Sequence, residues 1–321
     1  MNPTGICILI LAVFGIFGNV NIIIATARKS SLRTKTGILI GLLAVIDLIC
    51  LLSECTIAVR LIADILLSRT GCFKATILYY VSLFTSASTL LGLAIDRFVA
   101  VTFPFWYIKA HLIFTLLISL TPGLLMSATM VTLGAIYIQD EPKLMPMCFP
   151  GSMLPNFLQV YSSWMIMSLN VAVVVVYIAA FISLNIHKRR AQKNSQLCST
   201  LKNHEKAMQS ITVFLVVFLA TWFLSQFQLT ILPLFGGRDY TNWFLDLIRP
   251  TTPLVFVISF SQCYYVYFWR SSEYREAFKE QLGCKNVMYR NNVLIKSNFH
   301  DGWRMTDDGS TLAKNLQHNK S

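Results

Sequence analysis

Long apolar runs separated by short polar intervals occupy most of the chain, near residues 5–27, 37–59, 73–98, 112–138, 157–187, 208–235 and 243–269. Each run has about the 20 residues that a helix needs to cross the hydrocarbon core of a bilayer. The third is framed most sharply. A helix from Cys72 to Arg97 rises about 38 Å, which sets a cysteine at one membrane face and the acid–base pair Asp96-Arg97 at the other. In lipid every backbone polar group must be bonded within a helix or a closed barrel. These runs are continuous and do not alternate over ten-residue segments, so helices are predicted over a barrel. The predicted fold is all-α, a seven-transmembrane helix bundle. After the seventh run, Tyr274, Phe278 and Leu282 fall on one helical face of Ser271–Cys284, with Arg275 and Lys279 on the other. That pattern predicts a short amphipathic eighth helix along the membrane surface. Residues 1–284 are expected to form the bundle with this helix, and 285–321 a disordered polar tail.

Composition agrees with the pattern. Of 321 residues, 55% are hydrophobic and 13% charged, and the mean hydropathy is +0.58. A net charge of +12 first suggests a nucleic-acid partner, but its placement does not. Arg28, Lys29, Arg33, Lys35, Arg97, Lys109, Lys188, Arg189, Arg190, Lys193, Lys202 and Lys206 all fall on one predicted side, and the basic residues after 269 fall there too. Arg60, Arg69, Lys74, Lys143, Arg238 and Arg249 make up the other side. Positive charge gathers on the cytoplasmic face, so the N-terminus is expected outside and the C-terminus in the cytoplasm. The basic residues serve orientation and contact with the lipid bilayer, and no nucleic acid is expected. The first run follows Met1–Thr4 almost directly and would act as its own insertion signal.

Eight cysteines are present. Cys72 and Cys148 stand apart because both lie on the predicted outer side, where an oxidising compartment favours a bridge over two free thiols. Such a bridge would tie the loop before the fifth span across the mouth of the bundle. Within the apolar runs, polar residues are costly and informative. Asn19, Asp47, Ser86 and Ser259, from four different spans, come to about 12–16 Å from the cytoplasmic ends of their helices. They form one layer, either a hydrogen-bonded cluster between helices or the site of an allosteric sodium ion.

Several of these segments together resemble the rhodopsin-like G-protein-coupled receptors. The segments are Gly18-Asn19, Leu43-Ala44-Val45-Ile46-Asp47, the Cys72-to-Arg97 spacing, Asp96-Arg97-Phe98, Pro104, Phe218-x-x-x-Trp222, Cys263-Tyr264-x-x-Tyr267 and Tyr274-Arg-Glu-Ala-Phe278. Leu169, Leu224 and Tyr264 stand where that family usually has prolines, and Cys263 where it has asparagine. Arg28-Lys-Ser-Ser-Leu-Arg-Thr-Lys-Thr-Gly37, Asp96-Arg97-Phe98 and Cys263-Tyr-Tyr-Val-Tyr-Phe-Trp-Arg270 look most like the nematode Srsx-type serpentine chemoreceptors.

The resemblance implies a plasma-membrane receptor that turns binding of an extracellular small molecule into activation of a heterotrimeric G protein, with arrestin and a receptor kinase as further partners. It implies that Asp96 holds Arg97 at rest, and that Arg97 turns to Tyr177 and Tyr267 on activation. Trp222 would belong to the sixth-helix switch, and Phe105 would anchor the G protein. Cys284 is a candidate for palmitoylation. By depth, Tyr79, Leu83, Tyr161 and Gln226 are candidates for the ligand pocket, and an apolar, aromatic lining suits a small molecule. Tyr79 stands where amine receptors carry an aspartate, which speaks against biogenic amines. Val257 stands where opsins carry the retinal lysine, which speaks against light sensing. Two alternatives are a neuropeptide receptor and a membrane transporter. The transporter would need repeated halves with broken helices, and neither is visible. No nucleophile–base pair or metal-ligand set points to an enzyme.

Overall fold

A computed structural model describes residues 2–138, 144, 145, 148, 154–191, 220, 221, 224 and 251–283. They fold as α1 (Pro3–Arg28), a 3-10 turn (Ser30–Leu32), α2 (Lys35–Ile62), α3 (Arg69–Thr102), α4 (Pro104–Lys109), α5 (Leu112–Tyr137), α6 (Asn156–Ala191), α7 (Thr252–Arg270) and α8 (Ser272–Gln281). The described part separates into two units, one ending at Tyr274 and one beginning at Arg275. Helices α1, α2, α3, α5 and α6 are long and apolar enough to cross a membrane. The predicted seventh span appears as α7 from Thr252 onward. The predicted sixth span lies outside the described residues, apart from the helical positions Ala220, Thr221 and Leu224.

Local chemistry sets the helix starts. The side chains of Asn2, Thr34 and Ser68 accept hydrogen bonds from the backbone N–H groups of Thr4, Gly37 and Gly71 at 3.0, 3.1 and 3.1 Å, which satisfies donors that a first turn leaves unpaired. Pro3 and Pro104 open α1 and α4, where a missing N–H costs nothing. Leu169 and Tyr264 stand where the resembled receptors usually carry proline. Both are taken up in continuous helix, α6 and α7, and each keeps the backbone N–H that a proline would remove.

Packing runs from α7 to α1, from α1 to α2, from α2 to α3, and from α3 to α5 and α6. Two of these contacts depend on absent side chains. Gly18 of α1 lies so near Tyr264 of α7 that a Cβ would come within 2.7 Å of the tyrosine's own, and one on Gly123 of α5 would come within 2.7 Å of the Phe84 carbonyl in α3. Helix α3 is enclosed over most of its length, whereas α5 turns Ile113, Leu117 and Leu125 outward. Val13 of α1 and Val175 of α6 are likewise exposed, as a lipid solvent requires.

Candidate functional site

Three polar constellations lie along α2 and α3, and the first surrounds Arg97. Adjacent helical residues do not ordinarily face each other, yet the long Arg97 side chain folds back so that Nε and Nη2 donate to Asp96 Oδ2 at 3.1 and 2.6 Å. The same oxygen accepts from the Thr36 hydroxyl of α2 at 2.7 Å, and Oδ1 accepts from the Tyr107 hydroxyl of α4 at 3.0 Å. Asp96 and Arg97 are both buried. Burial, reinforced by the Asp96 charge, pushes the Tyr107 phenol above its ordinary pKa and keeps it a donor. Lys35 sits over the Tyr107 ring at 4.3 Å and donates to its backbone carbonyl.

Beside this network is a cavity of about 290 Å³ whose lining includes Arg97, Tyr107, Tyr267 and Tyr274. Tyr267 is buried, with its ring 5.0 Å from that of Tyr274. Tyr177 of α6 is buried too, and nearby the hydroxyls of Thr102 and Ser183 pair at 2.9 Å to join α3 to α6. Phe105 is 84% exposed on α4 and flanks the same end of the bundle.

About ten residues deeper is the second constellation. Ser86 donates to Asp47 Oδ1 at 2.9 Å, and Asn19 Nδ2 donates to the Phe260 carbonyl at 2.9 Å. All four residues of the expected layer are buried, but they do not close into one cluster. Ser259 turns its hydroxyl back to the Val255 carbonyl of its own helix at 3.1 Å. The Asn19 Oδ1 has no hydrogen-bond partner among the described residues.

The third constellation, one not expected from the sequence, centres on Glu54. This carboxylate is wholly buried in α2, and its Oε1 accepts a hydrogen bond from the Tyr79 hydroxyl of α3. Tyr79 therefore does not present a free phenol to a pocket. Leu83, one turn on, is buried, whereas Tyr161 of α6 is half exposed. Tyr80 packs in the core, stacked on Phe84 at 5.9 Å and hydrogen-bonded to Ser162 of α6. Trp222, Gln226 and Cys284 lie outside the described residues. The signal for Glu54 was present in the chain, since it is the second acid inside the apolar run of α2.

Beyond Glu54, Cys72 at the head of α3 is joined to Cys148 by a disulfide with Cα atoms 5.2 Å apart. A backbone bridge between Leu67 and Met145 pins the same loop.

The sequence profile described as serpentine type 7TM GPCR chemoreceptor Srsx matches residues 12–282, nearly the whole described bundle. The chain belongs to that Srsx family. A comparison with curated proteins finds none that matches. Membership makes the chain a multi-pass membrane protein of a chemoreceptor class, a receptor family and not an enzyme family. Within this Srsx receptor, the Asp96–Arg97 pair and the Cys72–Cys148 bridge occupy opposite ends of α3.

Proposed function

We propose that this Srsx receptor sits in the plasma membrane with its disulfide end outside, binds an extracellular small molecule, and activates a heterotrimeric G protein at its Arg97 end. The observation that carries this reading is the buried Arg97, held by Asp96 in the wall of a cavity that Tyr267 also lines. A buried guanidinium needs partners in every state it visits. Asp96 supplies them here, and the Tyr177 and Tyr267 hydroxyls are acceptors it would meet on swinging inward. The swing would open the cavity to the end of a G-protein α subunit, with Phe105 as an apolar contact. Arrestin and a receptor kinase would act on the same face afterwards.

Nucleotide exchange on mixed G-protein α subunits tests this reading. Membranes holding the wild type or Arg97→Ala are exposed in turn to a small-molecule odorant pool and a peptide extract. The expected result is exchange with the odorant pool that Arg97→Ala abolishes. No exchange from correctly inserted protein, with either pool, would defeat the proposal and favour a transporter.

A further inference from the structure

Asp47 and Glu54 stand seven residues apart on α2, and their partners Ser86 and Tyr79 stand seven apart on α3. Seven residues are almost two full turns, so the two helices are joined by two polar rungs about 10 Å apart. The rung nearer the disulfide end is incomplete. Glu54 is wholly buried, and its Oε2 has no hydrogen-bond partner among the described residues. No described cation faces it. Arg60, six residues on along α2, makes no ion pair with it among the described residues, although its Nη1 is buried and likewise lacks a hydrogen-bond partner there; Arg69 reaches the Leu154 carbonyl, and Lys74 is exposed. A carboxyl oxygen taken out of water and left without a hydrogen bond is costly unless something completes it.

Aromatic rings adjoin the Glu54 partner Tyr79. The Tyr79 ring meets the edge of Phe260 at 6.4 Å, and Phe260 stacks on Phe256 at 6.2 Å, so the tyrosine that holds the carboxylate belongs to a chain of three rings from α3 and α7. A carboxylate with aromatic faces is the combination that recognises an ammonium group, by a charge-assisted hydrogen bond and by cation–π attraction. Tyr79 lies seven residues, about 10 Å, inward of Cys72 and its bridge to the outer loop.

We propose that Glu54 anchors a small protonated amine, which takes the carboxylate over from Tyr79; the proposal deepens the receptor reading above and rests on it. The acid that position 79 lacks is supplied from the neighbouring helix, so the tyrosine there does not argue against amines. In the unliganded protein the Tyr79 hydroxyl holds the carboxylate. Binding replaces that bond with one from the ammonium, fills Oε2, and frees Tyr79 to move against α7.

Thermal unfolding of the purified receptor tests this without a G protein. The probes are 2-phenylethylamine, its trimethylammonium analogue and the neutral 2-phenylethanol at equal concentration, with wild type, Glu54→Gln and Tyr79→Phe. Glutamine keeps the acceptor for Tyr79 but not the charge. The protonated amine is expected to raise the unfolding temperature of the wild type more than its trimethylammonium analogue, which has no N–H to donate, and the alcohol is not expected to raise it. Glu54→Gln should weaken the apparent amine affinity at least tenfold, and Tyr79→Phe should strengthen it, because the competing hydroxyl is gone. Opposite shifts in the two variants are something a purely structural clasp would not produce. Equal stabilisation by alcohol and amine, or an amine effect that survives Glu54→Gln, would overturn the proposal. If Glu54→Gln does not fold, the wild-type comparison and Tyr79→Phe still decide it. A neutral odorant that drives Arg97-dependent exchange, with no amine stabilising the protein, would sink the amine site and leave the receptor reading standing.

Discussion

Asp96 uses both carboxylate oxygens, Oδ2 accepting from Thr36 and two N–H groups of Arg97 and Oδ1 from Tyr107. A carboxylate offers about four acceptor sites, so every bond removed from it weakens the hold on Arg97. A hydrogen bond to a charged group is worth about 1.5–3 kcal/mol, and about 1.4 kcal/mol shifts a two-state equilibrium tenfold. Tyr107→Phe is therefore expected to raise ligand-independent nucleotide exchange roughly tenfold, and Thr36→Ala to act in the same direction. Basal exchange that stays at the wild-type level in both variants would show that the network does not restrain Arg97. The two halves of this network differ in how they can be read. Asp96 and Arg97 are neighbours in sequence and end an apolar run, which makes them visible. Thr36 and Tyr107 lie 60 and 11 residues from Asp96, outside the predicted apolar runs, and no periodicity links them to it. Their pairing depends on how α2 and α4 dock, which is a tertiary fact.

Helices α3 and α5 meet along a seam of small residues. Ser88 donates to the Ser119 carbonyl at 2.7 Å, and Gly123 rests against the backbone of Phe84 and Thr85. A methyl group on Gly123 would come within 2.7 Å of the Phe84 carbonyl oxygen and the Thr85 Cα, and neither atom can turn aside. Gly123→Ala should cost about 1–3 kcal/mol through forced separation of the helices and lower the unfolding temperature by several degrees. Thermal unfolding in detergent measures it, and an unchanged midpoint would mean that the seam yields freely. The apolar pattern locates α5 to within a residue but understates the lengths of α3 and α2. Helix α3 starts at Arg69 because Ser68 caps it, and it runs to Thr102 because α4 begins only at Pro104, whose ring disfavours helical geometry at Phe103. Helix α2 likewise continues to Ile62, which leaves Glu54 two turns inside its end. Glu54, already inside the apolar run, is thus held well within continuous helix, where Tyr79 meets it.

At the scale of the molecule, charge and covalent constraint divide the bundle into unlike ends. The disulfide end carries Arg60, Arg69 and Lys74 with Asp64, and the Cys72–Cys148 bridge needs an oxidising compartment to persist. The other end gathers Arg28, Lys29, Arg33, Lys35 and Lys109 around the Asp96–Arg97 pair. Two independent forces, insertion bias and redox chemistry, thus point to the same orientation, with the bridge outside. An epitope added before Met1 should be labelled by antibody on intact cells, and one after Ser321 only after permeabilisation. Reversal of Arg28, Lys29, Arg33 and Lys35 to glutamate should let part of the population insert the other way. Inverted molecules would hold Cys72 and Cys148 in the reducing cytosol, so their bridge should be missing in a thiol-labelling assay. If labelling of the two epitopes and the state of the bridge failed to change together, orientation would not be set by the charge asymmetry, and the assignment of the Arg97 cavity to the G-protein side would lose its physical basis.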